Sequence, residues 1–227
     1  MTILDRLRGG LIVSCQARAD NALRGPIHMA AMALAAQRGG AVGIRAEGAA
    51  DIEAIRAVVD VPIIGIRKIL DGRPVYITPD FASARDAAAA GADAIALDAT
   101  LRDRPAGDQP AELISRIHDE LGIPVMADID SVTAGLAAAA AGADLIATTL
   151  SGYTTGAEPP QAPDIALVSE LCAATDTPIV AEGRIRTAED VAAAFGAGAW
   201  SVVVGTAITN PERITARLAA HSPRGAR

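Results

Sequence analysis

Lys68 is the only lysine in the chain; the other nineteen of its twenty basic residues are arginines. The two side chains differ in what they can do. Arginine keeps its charge because its pKa lies above ~12. A lysine starts near ~10.4 and moves down when desolvated or placed beside other cations. At about 7–8 such an amine can take up and return a proton near neutral pH. Lys68 closes the apolar run VPIIGIRK, and Glu182 closes TPIVAE. An amine and a carboxylate on opposite sides of a substrate suit removal of a proton from one face and its return to the other. As a solvated surface pair, the same two residues would contribute little. The remaining apolar runs also end on polar groups or a glycine turn: Gln16, Arg45, Asp98, Asp128, Thr148–Thr149 and Gly205–Thr206. Their beginnings are Gly-Ala or proline instead, so the polar residues collect at one end only.

The elements that place these groups repeat along the chain. Gly-Ala followed by an apolar run occurs at residues 40–41, 91–92, 142–143 and 198–199. An alanine-rich segment with high helix propensity precedes each, and the glycine suits the left-handed end of that helix. Between these lie runs introduced by proline, tolerated at the first residue of a strand. Eight strands follow, at about 10–15, 42–45, 62–67, 94–97, 124–127, 144–147, 178–181 and 201–204. Helical segments are expected at roughly 26–38, 48–58, 80–90, 110–120, 131–141, 164–174, 187–195 and 211–220. Strict alternation implies a parallel sheet with right-handed crossovers. Eight near-equal units predict a compact (β/α)8 barrel in one domain over residues 1–227, with a doubly wound open sheet as the alternative. Lys68–Pro79 and Ser151–Pro163 are long for βα connections and are candidate lids. Strands three and seven face each other in such a barrel, which sets Lys68 opposite Glu182.

GTAITNPE after the eighth strand, with Glu182-Gly183-Arg184 beside it, offers backbone N–H groups and a cation to a phosphate. His28, His118 and His221 fall in helical or tail segments, so no histidine stands at a strand end as a metal ligand. Gly196-Ala197-Gly198 precedes its strand, whereas a dinucleotide fingerprint follows one. Cys15 has no histidine to activate it and reads as barrel packing, and with Cys172 it makes neither a disulfide framework nor a zinc site. The chain has a formal charge of −7, 2% aromatic residues and 52 alanines. An acidic, ring-poor surface argues against a nucleic-acid groove, and no apolar run approaches the roughly 20 residues of a membrane span. Asp5 and two arginines in the opening MTILDRLRGG argue against export, leaving a cytoplasmic protein acting on a small molecule.

The segments GLIVSCQ (10–16), VPIIGIRK (61–68), ITPD (77–80), LDATLRDRP (97–105), MADIDS (126–131), ATTLSGYT (147–154), IVAEGR (179–184) and VVVGTAIT (202–209) resemble the N-acylglucosamine-6-phosphate 2-epimerases. The likeness runs in order over nearly the whole chain. It implies a (β/α)8 enzyme without metal or nucleotide cofactor, forming a homodimer. Its reaction would interconvert N-acetylmannosamine 6-phosphate and N-acetylglucosamine 6-phosphate in sialic-acid breakdown. By position, Lys68 and Glu182 match the acid/base pair, while Gln16, Arg45 and Asp128 match substrate contacts. Gly183, Gly205 and Thr206 match the phosphate end, and Tyr153 and Arg184 are further substrate-binding candidates. Two positions depart from the family: Ala99 replaces a common glycine, and Asn210 replaces an arginine, for which Arg184, Arg186 or Arg213 could substitute. Two rivals are a barrel in which Lys68 forms a Schiff base and a phosphosugar-binding barrel without catalysis.

Overall fold

The structure, a computed structural model, describes residues 2–104 and 108–223. Pro105, the end of the LDATLRDRP segment, lies outside the described residues. Eight parallel strands form a closed barrel in sequence order: β1 (Leu11–Cys15), β2 (Gly43–Glu47), β3 (Ile63–Ile66), β4 (Ala94–Asp98), β5 (Val125–Asp128), β6 (Leu145–Ala147), β7 (Ile179–Glu182) and β8 (Ser201–Val204). β8 pairs with β1, so no edge is left open. This is the (β/α)8 architecture expected, not the open sheet. The outer helices are α2 (Pro26–Arg38), α3 (Ala49–Arg56), α4 (Phe81–Ala89), α5 (Pro110–Arg116), α6 (Val132–Ala140), α7 (Ile165–Ala174), α8 (Ala188–Gly196) and α10 (Pro211–Ala219). The glycines of the Gly-Ala repeat, Gly40, Gly91, Gly142 and Gly198, all have positive φ, from 91° to 103°. Each turns the chain out of a helix at an angle that a Cβ would oppose.

Side-chain alternation along the strands divides the apolar residues between two layers. Ile12, Ile64, Ile66, Met126, Val180 and Val203 fill the bore. Val13, Ile44, Ile63, Ile95, Ile146 and Val202 point outward and pack beneath the helices. The prevalence of alanine allows this close approach: a Cβ at Gly65 would stand 2.6 Å from the Ala92 methyl. Counting by twos up each strand from the bore residues leads to Gln16, Lys68, Asp128 and Glu182 at the C-terminal mouth.

Three features depart from the expected elements. A short helix, α1 (Ile3–Leu7), precedes β1 and is fixed by a Thr2–Asp5 capping box. Its Leu7 is fully buried and closes the bottom of the bore above Gly43, where a Cβ would stand 2.6 Å from Leu7 Cδ2. Burying a leucine completely contributes about 1.5–3 kcal/mol. The helix expected at 110–120 is α-helical only to Arg116 and continues as one π turn, Ile117–Leu121, ending at left-handed Gly122. The segment after β8 divides into α9 (Thr206–Thr209) and α10.

The two long connections are ordered by specific contacts. Lys68–Pro79 turns back on itself, with an antiparallel bridge between Lys68 and Ile77. Ser151–Pro163 is strapped to the loop after β7, where Arg184 Nε donates to the Ala162 carbonyl at 2.7 Å and Arg186 Nη1 to the Gln161 carbonyl at 3.1 Å.

Candidate active site

At the centre of the mouth stands Arg45, a β2 side chain with only 1% exposure. Its guanidinium spans two carboxylates. Nη1 and Nη2 donate to Asp128 Oδ1 and Oδ2 at 2.9 and 2.5 Å, a bidentate pair. Nη1 also donates to Glu182 Oε2 at 2.6 Å. The Thr149 hydroxyl donates to Asp128 Oδ1 at 2.6 Å, with Glu182 Oε2 an alternative acceptor at 3.1 Å. Two carboxylates from β5 and β7 thus converge on one cation and one hydroxyl. Such bonds are charge-assisted and fix planes as well as positions.

Glu182 is also held through its backbone. Its N–H donates to Thr148 Oγ1, and the Thr148 hydroxyl donates to the Glu182 carbonyl, both at 3.0 Å. The adjacent threonines therefore divide the work. Thr148 ties the β7 backbone, while Thr149 faces the mouth. Burial pushes the Glu182 carboxyl above its ordinary range; Arg45 opposes that and Asp128 reinforces it. Arg45 responds in the other sense. Burial works against its charge, but Asp128 and Glu182 outweigh it and hold the guanidinium firmly protonated.

Lys68 comes from the opposite wall, just past β3. Its Nζ donates to Gln16 Oε1 at 2.7 Å, and Gln16 Nε2 donates in turn to Ser14 Oγ at 2.8 Å. Among the described residues the ammonium forms no ion pair with a carboxylate, so Lys68 and Glu182 stand apart across the mouth. Burial lowers the Lys68 pKa and Arg45 adds to that, against the opposing pull of Glu47, Glu182 and Asp128. The two candidate proton carriers are thus displaced toward each other, the amine downward and the carboxyl upward. Environments of this kind are how one site holds an acid and a base at the same pH.

Several expected residues have other neighbours. Asp98 is fully buried and holds the loop after β4: its Oδ1 accepts from the Thr100 N–H and hydroxyl, and its Oδ2 from Arg102. Arg104 also donates to the Asp98 carbonyl. Arg184, at left-handed φ of 61°, gives its guanidinium to the Ser151 and Ala162 carbonyls and lies 5.3 Å from the Tyr153 ring. The structure thus joins Tyr153 and Arg184 to each other on the rim. Gly183 has φ of 107°, and Gly205 precedes Thr206 at the start of α9. The first N–H groups of any helix lack intrahelical partners, and here a Cβ on Gly205 would stand 3.3 Å from the Ser14 Cβ, which sets this turn against the end of β1. Asn210 caps α10 by accepting from the Arg213 N–H at 3.0 Å. Cys15 is buried, with its thiol pushed up to about 12, as befits packing.

Glu47 was not expected here. Its Oε1 accepts from the Lys68 N–H at 3.2 Å, which ties the end of β2 to the second residue after β3. The signal lay two residues beyond Arg45, on the same face of the strand. Among the described residues, no cluster of three His, Cys, Asp or Glu side chains is arranged to hold a metal ion.

Comparisons with known proteins address the chain and its fold as a whole. The family model described as "NanE: Putative N-acetylmannosamine-6-phosphate epimerase" matches residues 29–222. A Thermosynechococcus vestitus protein named "Putative N-acetylmannosamine-6-phosphate 2-epimerase" is 54% identical over 92% of this chain and 91% of its own length. A Cutibacterium acnes protein of the same name is 48% identical over 94% and 93% of the two chains. The solved N-acetylmannosamine-6-phosphate 2-epimerase from Clostridium perfringens superposes with a TM-score of 0.92 at 42% identity, covering 96% of this chain and 95% of its own. With a family model spanning most of its length and relatives this similar, the chain belongs to the N-acetylmannosamine-6-phosphate epimerase family.

Proposed function

We propose that this protein interconverts N-acetylmannosamine 6-phosphate and N-acetylglucosamine 6-phosphate by moving the C2 proton between the two faces of the open-chain sugar, with no cofactor. The observation that carries this is the arrangement of Lys68 and Glu182 on opposite walls of one mouth, the amine's pKa lowered and the carboxyl's raised, with Arg45 between Glu182 and Asp128.

C2 lies next to the C1 aldehyde, so loss of its proton is assisted by delocalisation onto the aldehyde oxygen. One of Lys68 and Glu182 takes the proton while the other supplies one to the opposite face, and the roles exchange with direction. Charge that develops on oxygen is stabilised by a preorganised cation at no reorganisation cost, and Arg45 is the group we assign to it. Gln16 orients the Lys68 amine and contacts substrate, and Asp128 holds Arg45 and faces the sugar hydroxyls. Gly183, Gly205 and Thr206 receive the phosphate through backbone N–H groups. Arg184 and Tyr153 shape the sugar side from the rim.

The working unit we propose is a homodimer. Support comes from α10, which buries none of its residues and leaves Leu218 64% exposed and Ile208 beside it 44% exposed. Among the described residues no helix is long and apolar enough to cross a membrane. A phosphorylated substrate is consistent with the cytoplasmic setting we propose.

The test is the reaction in heavy water followed by proton NMR. Both sugars should acquire solvent deuterium at C2 as they interconvert. Product that forms with its C2 proton fully retained would defeat the proton-transfer scheme.

A further inference from the structure

Thr78 has an uncommon backbone for its type. Its φ is 42°, in the left-handed region, yet it is a β-branched residue and entirely buried. Such a conformation is an outlier that persists only where the surroundings over-determine it, and these positions cluster at working sites.

The surroundings here are the divergence of two strands. Direct β3–β4 pairing ends at Gly65 and Ile95. Beyond it, residues 76–78 wedge between them. Ile69 N–H donates to the Tyr76 carbonyl at 2.9 Å, Thr78 N–H to the Arg67 carbonyl at 2.7 Å, and Asp98 N–H to the Ile77 carbonyl at 3.0 Å. The Thr78 hydroxyl completes the seam. It accepts from Arg67 N–H at 3.2 Å and donates to the Ala96 carbonyl at 2.7 Å. One side-chain oxygen thus replaces a rung of the ladder and satisfies buried groups on both strands, which would otherwise be costly to leave unpaired. The next residue is Lys68. Its backbone is held on one side through Arg67 by Thr78 and on the other by Glu47.

We infer that Thr78 is a positioning residue, whose left-handed backbone and bridging hydroxyl set the place of the Lys68 amine relative to the reacting carbon. This rests on the reading of Lys68 as a proton carrier. Thr78 touches neither the amine nor the site carboxylates, so it acts only through the seam.

Three variants separate the parts. Thr78→Ser keeps the hydroxyl. Thr78→Gly removes it and also relieves the backbone, and Thr78→Ala removes it while keeping a Cβ. Because a misplacement of ~1 Å can cost about a hundredfold in rate, kcat should fall at least roughly tenfold in the glycine and alanine variants. KM should stay within about threefold, and the serine variant should retain most of the rate. A second readout needs no turnover. Reductive methylation with 13C-formaldehyde labels Lys68 alone among side chains and keeps its charge. Its NMR titration reports the balance among Gln16, Arg45, Glu47, Asp128 and Glu182 around the amine. The titration should coincide in wild type and Thr78→Ser and move in Thr78→Gly.

Unchanged kcat and unchanged titration in a folded glycine or alanine variant would overturn the inference. So would equal losses in the serine variant, or losses matched by the unfolded fraction. If neither hydroxyl-free variant folds, Thr78 is a folding residue and the inference falls. A wild-type protein without epimerase activity would defeat the functional reading, while the titration would still decide whether Thr78 places the amine.

Discussion

Replacing Arg45 with methionine removes the cation that two carboxylates share, and its cost can be worked out from the geometry. Arg45 is 1% exposed, Asp128 is fully buried, and Glu182 is 13% exposed. Three donated bonds of 2.5–2.9 Å disappear together. Breaking a buried ion pair by deleting one partner costs about 3–5 kcal/mol, mostly because a charge stays behind without compensation. Against a total stability of about 5–15 kcal/mol, the variant should fold but weakly. The loss should also depend on pH. Without Arg45, Glu182 titrates higher still in the folded chain than in the unfolded one. The folded state then binds a proton that the unfolded state has released, so stability is recovered as pH falls through that window. Each unit of added elevation returns about 1.4 kcal/mol. Urea denaturation at pH 8 and pH 5.5 should therefore give a penalty near the upper figure at pH 8 and a clearly smaller one at pH 5.5. Arg45→Met/Glu182→Gln should regain part of the loss at pH 8. A penalty below ~1 kcal/mol, or one equal at both pH values, would refute the argument that stranded carboxylates dominate.

Three further outcomes are expected. Lys68→Met should lose about a hundredfold to ten-thousandfold in kcat with its melting temperature nearly unchanged, the usual contribution of a general acid or base; borohydride treatment of wild type with substrate should trap no adduct by mass spectrometry, and a trapped adduct would favour the Schiff-base rival. Arg184→Ala should free the Ser151–Pro163 loop, since two lost bonds worth about 1 kcal/mol each raise its open population ~30-fold. Limited proteolysis should then nick that loop faster, with KM affected more than kcat.

The residues at the mouth were legible because the bore dictates them. The polar residue that closed each apolar run marked the mouth, and glycine or proline marked where each run began. That reasoning reached Gln16, Arg45, Lys68, Asp128 and Glu182. It stopped one step short on β2, where the strand was expected to end at residue 45 and Glu47 fell between it and the helix expected from residue 48, whereas the strand runs to Glu47. The hairpin after Lys68 carried a visible cue in Asp71-Gly72, where Gly72 has φ of 92° and Asp71 accepts from Arg73 N–H. Its flanks are too short to read as strands, so the segment read as open loop. Thr2 and Asp5 likewise carried the capping pattern of α1, but five residues are too few for helical periodicity. The destination of Arg184 had no local signal at all. Its partners at Ser151 and Ala162 belong to another connection, and only the packed barrel brings them together.

The stopper at the other end of the barrel has a consequence for how the molecule can be altered. The floor of the bore is a separate strip of chain, with Leu7 set into the space that Gly43 leaves vacant. Apolar layers separate floor from mouth, so each can be changed while the other is kept. Trimming the first seven residues would uncover Ile12 and Ile64 from below and admit water to an oily shaft, with the groups at the mouth untouched. Fused cargo placed ahead of Thr2 would strain the same plug.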